Sequence, residues 1–148
     1  PSSALYASFK YDNVSFISMP NIDKCPPNWD PVSAIHRSLN EPGLIGIDLA
    51  DLKSISDKQI GTILSFTYNN NTFSKTFILD YLHDKSLHKY NNFYIVLDLY
   101  ENDLDQVNKL HNVADAVQSI TSSDSHVYYT APFVSENITR TCTLLAFE

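Results

Sequence analysis

Two carboxylates, Asp48 and Asp51, stand three residues apart where an apolar run gives way to a more polar stretch. At that spacing both side chains can lie on one face of the first turn of a helix. The ordinary interpretation is that they cap this helix and complement its dipole. The alternative is that they work as a pair in the chemistry of the protein, and spacing alone does not decide between the two.

Other residue types that carry chemistry are present, but their spacing does not favour a catalytic or metal site. The histidines form no HExxH pair and flank no nucleophile elbow. Four acids follow a predicted strand and could in principle offer oxygens to a hard cation. No glycine shapes a bend there, and helix capping accounts for two of them, so we expect no metal. These acids are Asp98, Glu101, Asp103 and Asp105.

The composition indicates a globular protein that does not bind nucleic acid or an anionic membrane. The chain has 148 residues, is 43% hydrophobic and 18% charged, and carries a net charge of -7. Such acidity leaves no basic stripe for a phosphate backbone or an acidic lipid surface. Only three glycines are present, so the glycine-rich phosphate loops of nucleotide-binding folds cannot be built. Cys25 and Cys142 lie far apart, and two reduced thiols in the cytoplasm are favoured over a disulfide.

Hydrophobic periodicity predicts the elements that must position these residues. Strands are predicted at residues 14–19, 44–47, 60–68, 93–99, 127–131 and 139–147, and helices at residues 31–40, 74–83 and 103–120. Residues 1–11 show no clear period and are predicted to form a loosely attached arm. The last helix carries one apolar stripe. Its members are Leu104, Val107, Leu110, Val113, Ala114, Val117 and Ile120.

The alternation of strands and helices predicts an α/β fold. We expect a mostly parallel four-stranded sheet with helices packed on it and a closing pair of antiparallel strands. The closing pair is predicted at residues 127–131 and 139–147, because strands close in sequence can pair as antiparallel neighbours.

The stretch PGLIGIDLADLKS, residues 42–54, resembles the segment PGLIN-x-D-F-A-D-x-K of FtsZ, the bacterial tubulin homologue. Upstream, VSFISMPN is similar to the FtsZ strand that ends in an apolar-Pro-Asn sequence. Downstream, KQIGTILSF and the order of elements from residue 93 to residue 147 also follow that family. The resemblance implies the C-terminal half of an FtsZ-like protein. Residues 1–41 would lead from a missing GTP-binding half, and residues 42–148 would form the FtsZ-like C-terminal domain.

The same resemblance implies roles for individual residues. Asp48 and Asp51 match the family's acids, which position the water that attacks GTP on the neighbouring subunit of a filament. Gly46 and Lys53 would lie on the nucleotide side, and Gly46 replaces an Asn of the family, which removes one polar contact. The implied cofactor is GTP, with or without Mg²⁺, bound by the missing half or by the adjacent subunit. This chain alone is expected to have no activity.

Three hypotheses about function follow. The first is a cytoplasmic, polymer-forming cell-division protein that associates head to tail with itself or with a GTP-binding FtsZ-like subunit. The second is a stand-alone interaction module that caps or regulates such filaments. The third is an unrelated small α/β binding domain. Under the first two we expect no binding of nucleic acid and no direct membrane attachment.

Overall fold

The computed structural model describes residues 7–11, 14–18, 31–45 and 60–147, and the following elements lie within them. The strands are β1 (Ala7–Tyr11), β2 (Val14–Ser18), β3 (Gly43–Ile45), β4 (Ile60–Thr67), β5 (Asn92–Leu97), β6 (His126–Pro132) and β7 (Thr141–Phe147). The helices are α1 (Pro31–Asn40), α2 (Lys75–Leu82) and α3 (Gln106–Ile120), with a short 3₁₀ turn at Leu87–Lys89.

The main sheet has five strands in the order β3-β6-β5-β7-β4. Only β5 and β6 pair in parallel, whereas β3 with β6, β5 with β7 and β4 with β7 are antiparallel. The α/β class and the FtsZ-like arrangement are confirmed, but the expectation of four mostly parallel strands is wrong in its pairing. Strands β4, β5 and β6 do run in the same direction, as helical connections between them predict. Strand β7 then enters between β4 and β5 and makes both contacts antiparallel.

The predicted closing pair is also corrected by the position of β7. Strands β6 and β7 run in opposite directions, as expected, but β5 lies between them. Every residue of β7 is buried, which explains why it takes an interior position rather than an edge. The loop between β6 and β7 therefore passes over the end of β5 instead of making a hairpin.

The sheet has two covered faces, and successive residues of β5 alternate between them. Phe93, Ile95 and Leu97 belong to the core that α2 and α3 share with the sheet. Tyr94 points to the opposite face, where its hydroxyl shares a short hydrogen bond with Ser38 of α1. Helix α1 thus occupies one face, and α2 with α3 the other.

Helix α3 begins at Gln106, three residues later than predicted, and its apolar stripe is shorter. Val113, Ala116 and Val117 are buried, but Leu104 is 97% exposed and Val107 is half exposed. The reason is that Asp103 is not in the helix. Its carboxylate accepts a hydrogen bond from the Tyr100 amide at 2.9 Å, which holds a turn ahead of the helix.

Strand β1 corrects the expectation of a loose N-terminal arm. Residues 7–11 pair antiparallel with β2, with Phe9 opposite Phe16. Backbone pairing to a neighbouring strand requires no hydrophobic period, which is why the pattern gave no signal. Helix α2 begins as expected, because the Phe77 amide donates to the Ser74 hydroxyl at 3.1 Å.

Candidate functional site

The four residues that the resemblance assigns to catalysis and nucleotide contact lie outside the described part of the chain. These residues are Gly46, Asp48, Asp51 and Lys53. Their roles therefore stay predictions. The structure does describe the elements on both sides of them in the chain, β3 before and β4 after. These two strands fix where the segment begins and ends.

The end that precedes the acidic segment is anchored to β6 by close backbone contact. The Phe133 amide donates to the Pro42 carbonyl at 2.8 Å, and Gly43 lies opposite Pro132 in the β3–β6 ladder. A Cβ at Gly43 would overlap with the Ala131 carbonyl oxygen and would lie 2.7 Å from the Pro132 Cα. Glycine is therefore required at position 43, because no side chain fits against β6 there.

The two ends of residues 46–59 lie at opposite edges of the five-stranded sheet. Strand β3 is one edge strand, and β4, which begins at Ile60, is the other. Four strand spacings of about 4.8 Å separate them, which is roughly 19 Å. The segment that contains both aspartates therefore joins one edge of the sheet to the other.

Helix α1 is joined to the sheet by a buried carboxylate. Asp98, directly after β5, receives two hydrogen bonds from Arg37, at 3.3 Å to Nε and 3.2 Å to Nη2. The amide and hydroxyl of Thr141 also donate to Asp98, at 3.2 and 2.8 Å. Burial raises the pKa of Asp98 above its ordinary value, and the neighbouring Arg37 opposes this without cancelling it.

A second ion pair joins the loops at the same end of the sheet. Arg140 lies within ion-pair distance of Asp103, 2.7 Å, and donates to the Asn70 side chain at 3.1 Å. Its guanidinium lies between the rings of Tyr68 and Tyr100, 4.8 and 4.3 Å from their centroids. Both charged side chains are buried, with Arg140 6% and Asp103 4% exposed. The arginine therefore ties together the loops that follow β4, β5 and β6.

Tyr68 connects the two ion pairs. Its ring stacks on Arg140, while its hydroxyl donates a short hydrogen bond to the Asp98 carbonyl. Burial raises the pKa of Tyr68, so the hydroxyl remains a donor at any physiological pH. Two of the four acids that suggested a cation site, Asp98 and Asp103, are instead held by arginines in ion pairs. The described residues hold no group of three or more histidines, cysteines and acids that could bind a metal.

Sequence reasoning missed Arg37 and Arg140, which supply the positive charges of the two ion pairs. No local pattern marks them, because each contacts an aspartate far away along the chain. Arg140 and Asp103, for example, are 37 positions apart. Cys142 is a free, buried thiol whose pKa is raised by burial, whereas Cys25 lies outside the described residues. Within the described ranges, no helix combines the length and apolar character that crossing a bilayer requires.

Comparison with known proteins shows what this fold resembles. No family model and no curated protein sequence matches the chain. Among solved structures, an empty FtsZ dimer from M. jannaschii matches with a TM-score of 0.61 and 17% identity, over 78% of this chain and 35% of that one. A mutant form of the M. jannaschii protein matches with a TM-score of 0.59 and 19% identity, over 79% of this chain and 36% of that one.

A second group of matching structures is TubZ. A GTPγS-form protofilament of TubZ from Bacillus thuringiensis serovar israelensis matches with a TM-score of 0.57 and 12% identity, over 78% of this chain and 33% of that one. The chain spans about a third of the length of the structures it matches. At these identities the likeness is one of fold. The resemblance stated from the sequence is thus confirmed at the level of the FtsZ/tubulin C-terminal-domain fold.

Proposed function

We propose that this chain, with its FtsZ/tubulin C-terminal-domain fold, is a domain of a polymer-forming, tubulin-like cytoskeletal protein and supplies the acidic segment that completes a neighbour's GTPase site. The observation that carries the proposal is the agreement of two independent signals. The fold matches FtsZ and TubZ structures, one of them a protofilament. The motif at residues 42–54 has its first residues in β3, directly after α1, at one edge of that fold.

In the proposed mechanism, Asp48 and Asp51 orient a water molecule for attack on the γ-phosphate. Phosphoryl transfer depends mainly on positioning and charge stabilisation, and a carboxylate in a closed interface can hold a water in line. The GTP, with its Mg²⁺, would be bound by the partner subunit or by a GTP-binding half. Lys53 would contribute a positive charge near the nucleotide. Gly46 offers no side chain there, so we expect slower hydrolysis than in FtsZ proteins that have asparagine.

The proposed partner is a GTP-binding FtsZ-like subunit, or a second copy of a protein that includes this domain, in a head-to-tail contact. Such a contact joins two different surfaces and so propagates into a filament. We propose a role in cell division in the cytoplasm. Residues 1–41 would connect to the GTP-binding half, with α1 as the connecting helix, and residues 42–148 would form the filament-contacting domain.

The experiment mixes the chain with a GTP-bound FtsZ-like N-terminal half and measures phosphate release. The proposal expects the chain to increase hydrolysis, and Asp48→Ala and Asp51→Ala to abolish most of the increase. Asp80→Ala is the matched control, because Asp80 is an exposed acid on α2, remote in sequence from the motif. No increase with the unmutated chain would contradict the proposal. Shortened filaments of a full-length protein without increased hydrolysis would favour the capping role instead.

A further inference from the structure

Three large apolar side chains are exposed in the described part of the chain, and all three lie at one end of the sheet. Leu104 is 97% exposed, Val107 54% and Ile138 48%. Leu104 and Val107 lie at the start of α3, and Ile138 lies in the loop between β6 and β7. We refer to these three residues as the end patch. Single exposed apolar residues are ordinary, but a group of them at one place marks a binding surface.

Hydrogen bonds join the two loops that carry the end patch. The Tyr100 hydroxyl donates to the Ile138 carbonyl at 2.5 Å, and the Asn102 side chain donates to the Glu136 carboxylate. The Asp103 carboxylate accepts from the Tyr100 amide at 2.9 Å, which fixes the turn ahead of α3. The apolar side chains are therefore presented on a preformed surface, so a partner can bind with little ordering of these loops.

A cavity of about 510 Å³ opens beside the end patch, and Leu104 is one of its lining residues. Two aromatic residues, Phe73 and Tyr100, also line it. The side chains that contribute most to binding between proteins usually enter pockets of this kind, next to an apolar surface that excludes water. The cavity can therefore accept a long side chain of another protein that lies on the end patch.

The charged residues that line the cavity are acidic on balance. Asp103 and Arg140 neutralise each other in their ion pair. The other charged lining residues are Asp105 and Glu136, which are exposed, and Lys109, so two negative charges face one positive charge. A cation that enters the cavity would be attracted by this excess of negative charge, whereas an anion would be repelled.

We propose that the end patch and the cavity together bind a segment of a partner protein in which an apolar residue lies next to a lysine or arginine. The apolar residue packs on Leu104 and Val107, and the cation enters the cavity and interacts with the carboxylates of Asp105 and Glu136. An apolar centre with a polar, charged rim is the usual composition of protein interfaces. The proposal does not depend on GTP hydrolysis, because none of the residues that line the cavity belongs to residues 42–54.

The test measures binding of a fluorescent peptide of leucine, lysine and glycine to the whole chain by fluorescence anisotropy, without nucleotide and at constant ionic strength. Two comparison peptides carry glutamate in place of lysine or serine in place of leucine. We expect only the leucine–lysine peptide to bind, and Leu104→Ser to weaken its Kd at least about tenfold, as the loss of a buried apolar contact implies. Asp105→Asn should weaken the Kd by a smaller factor. Asp124→Asn, at an exposed acid in the loop after α3, is the matched control and should leave the Kd unchanged.

Thermal unfolding without peptide provides a second readout. Because Leu104 is almost fully exposed, Leu104→Ser should leave the Tm unchanged. A Tm well below that of the unmutated chain would overturn the proposal, because it would show that Leu104 packs within the chain. The proposal is also overturned if the leucine–lysine peptide does not bind or if its binding survives Leu104→Ser. Equal binding of the lysine–serine peptide would show only general attraction to an acidic protein, and equal binding of the leucine–glutamate peptide would show that the acids have no role, so either result contradicts it.

Discussion

Two arginine–aspartate pairs stabilise the same end of the sheet. They differ in how the remaining residue of each pair could respond when the other residue is removed. Arg37 and Asp98 join α1 to the sheet, and the Arg37 side chain is 21% exposed. Arg140 and Asp103 join three loops, and the Arg140 side chain is only 6% exposed. Asp98 can take up a proton, and Arg37 can reach water. Arg140 can do neither, because arginine stays charged in proteins.

The contrast shows that the cost of breaking a buried ion pair depends on which charge remains. Removing one partner of a fully buried pair costs about 3–5 kcal/mol, because the other charge is left uncompensated. Where the remaining group can be neutralised or hydrated, the cost is smaller. Breaking the Arg140–Asp103 pair should therefore destabilise the protein more than breaking the Arg37–Asp98 pair.

The largest effect is expected from Asp103→Ala. It leaves Arg140 buried between two tyrosines without its counter-ion, so the free energy of unfolding should fall by about 3–5 kcal/mol. Urea denaturation followed by circular dichroism measures this. Asp105→Ala, two residues away and exposed, is the matched control and should cost less than about 1 kcal/mol. Equal losses in the two variants would show that Arg140 does not need Asp103.

Arg37→Met should have a smaller effect on the free energy of unfolding, about 1–2 kcal/mol. Asp98 keeps both hydrogen bonds from Thr141 and can be neutralised by a proton. The same urea titration gives the comparison, with Arg37→Lys as the conservative variant that retains charge but not the paired guanidinium contact. If Arg37→Met cost as much as Asp103→Ala, the distinction between the two pairs would be lost.

The Arg37–Asp98 pair should also make the stability of the protein depend on pH. The pKa of Asp98 in the native state lies above its ordinary value of 3.8. As pH rises above 3.8, the unfolded chain loses this proton first, so ionisation favours unfolding until the native carboxyl has also ionised. The stability of the unmutated chain relative to Asp98→Asn should therefore fall with rising pH and then level off. Urea denaturation of both proteins from pH 3 upward, in steps of about one unit, measures this difference. A difference that grows with pH would show instead that folding lowers the pKa of Asp98.

A smaller effect on stability than that of either ion-pair variant is expected from Tyr68, the residue that contacts both ion pairs. Tyr68→Phe retains the ring against Arg140 but removes the hydrogen bond to the Asp98 carbonyl, at a cost of about 1 kcal/mol. Tyr100→Phe removes a hydrogen bond of 2.5 Å to the Ile138 carbonyl near the surface and should cost less. Thermal unfolding of both variants makes the comparison. A larger loss of stability from Tyr100→Phe would show that the hydrogen bond near the surface contributes more than the buried one.

The sequence predicted those parts of the fold that depend on local signals. The bounds of α1 are confirmed, because Pro31 marks its first turn and Glu41-Pro42-Gly43 follows its end. Strands β4, β5 and β6 also agree within one or two residues. The insertion of β7 between β4 and β5 had no local signal, because strand neighbours far apart in sequence are chosen by the packing of the whole sheet.

The candidate site residues likewise divide into those that a local sequence signal marks and those that it does not. The motif that contains Asp48 and Asp51 is contiguous in the sequence, so it could be proposed at once. Arg37 and Arg140 become noticeable only when elements far apart in sequence meet around them. Periodicity even gave the wrong environment for Leu104: its spacing fits the stripe of α3, but Asp103 is used by Arg140 and the helix begins after both.

The interior position of β7 has a consequence for how the protein acquires its structure. β4 is an edge strand whose ladder partner is β7, so α2, β5, α3 and β6 are all synthesised before that partner exists. Contacts between such distant segments form slowly, because a long loop must close first. We expect the amides of β4 to gain protection late, after those of α3, in pulse-labelled hydrogen exchange during refolding. Early protection of β4 would indicate that another segment holds it until β7 arrives.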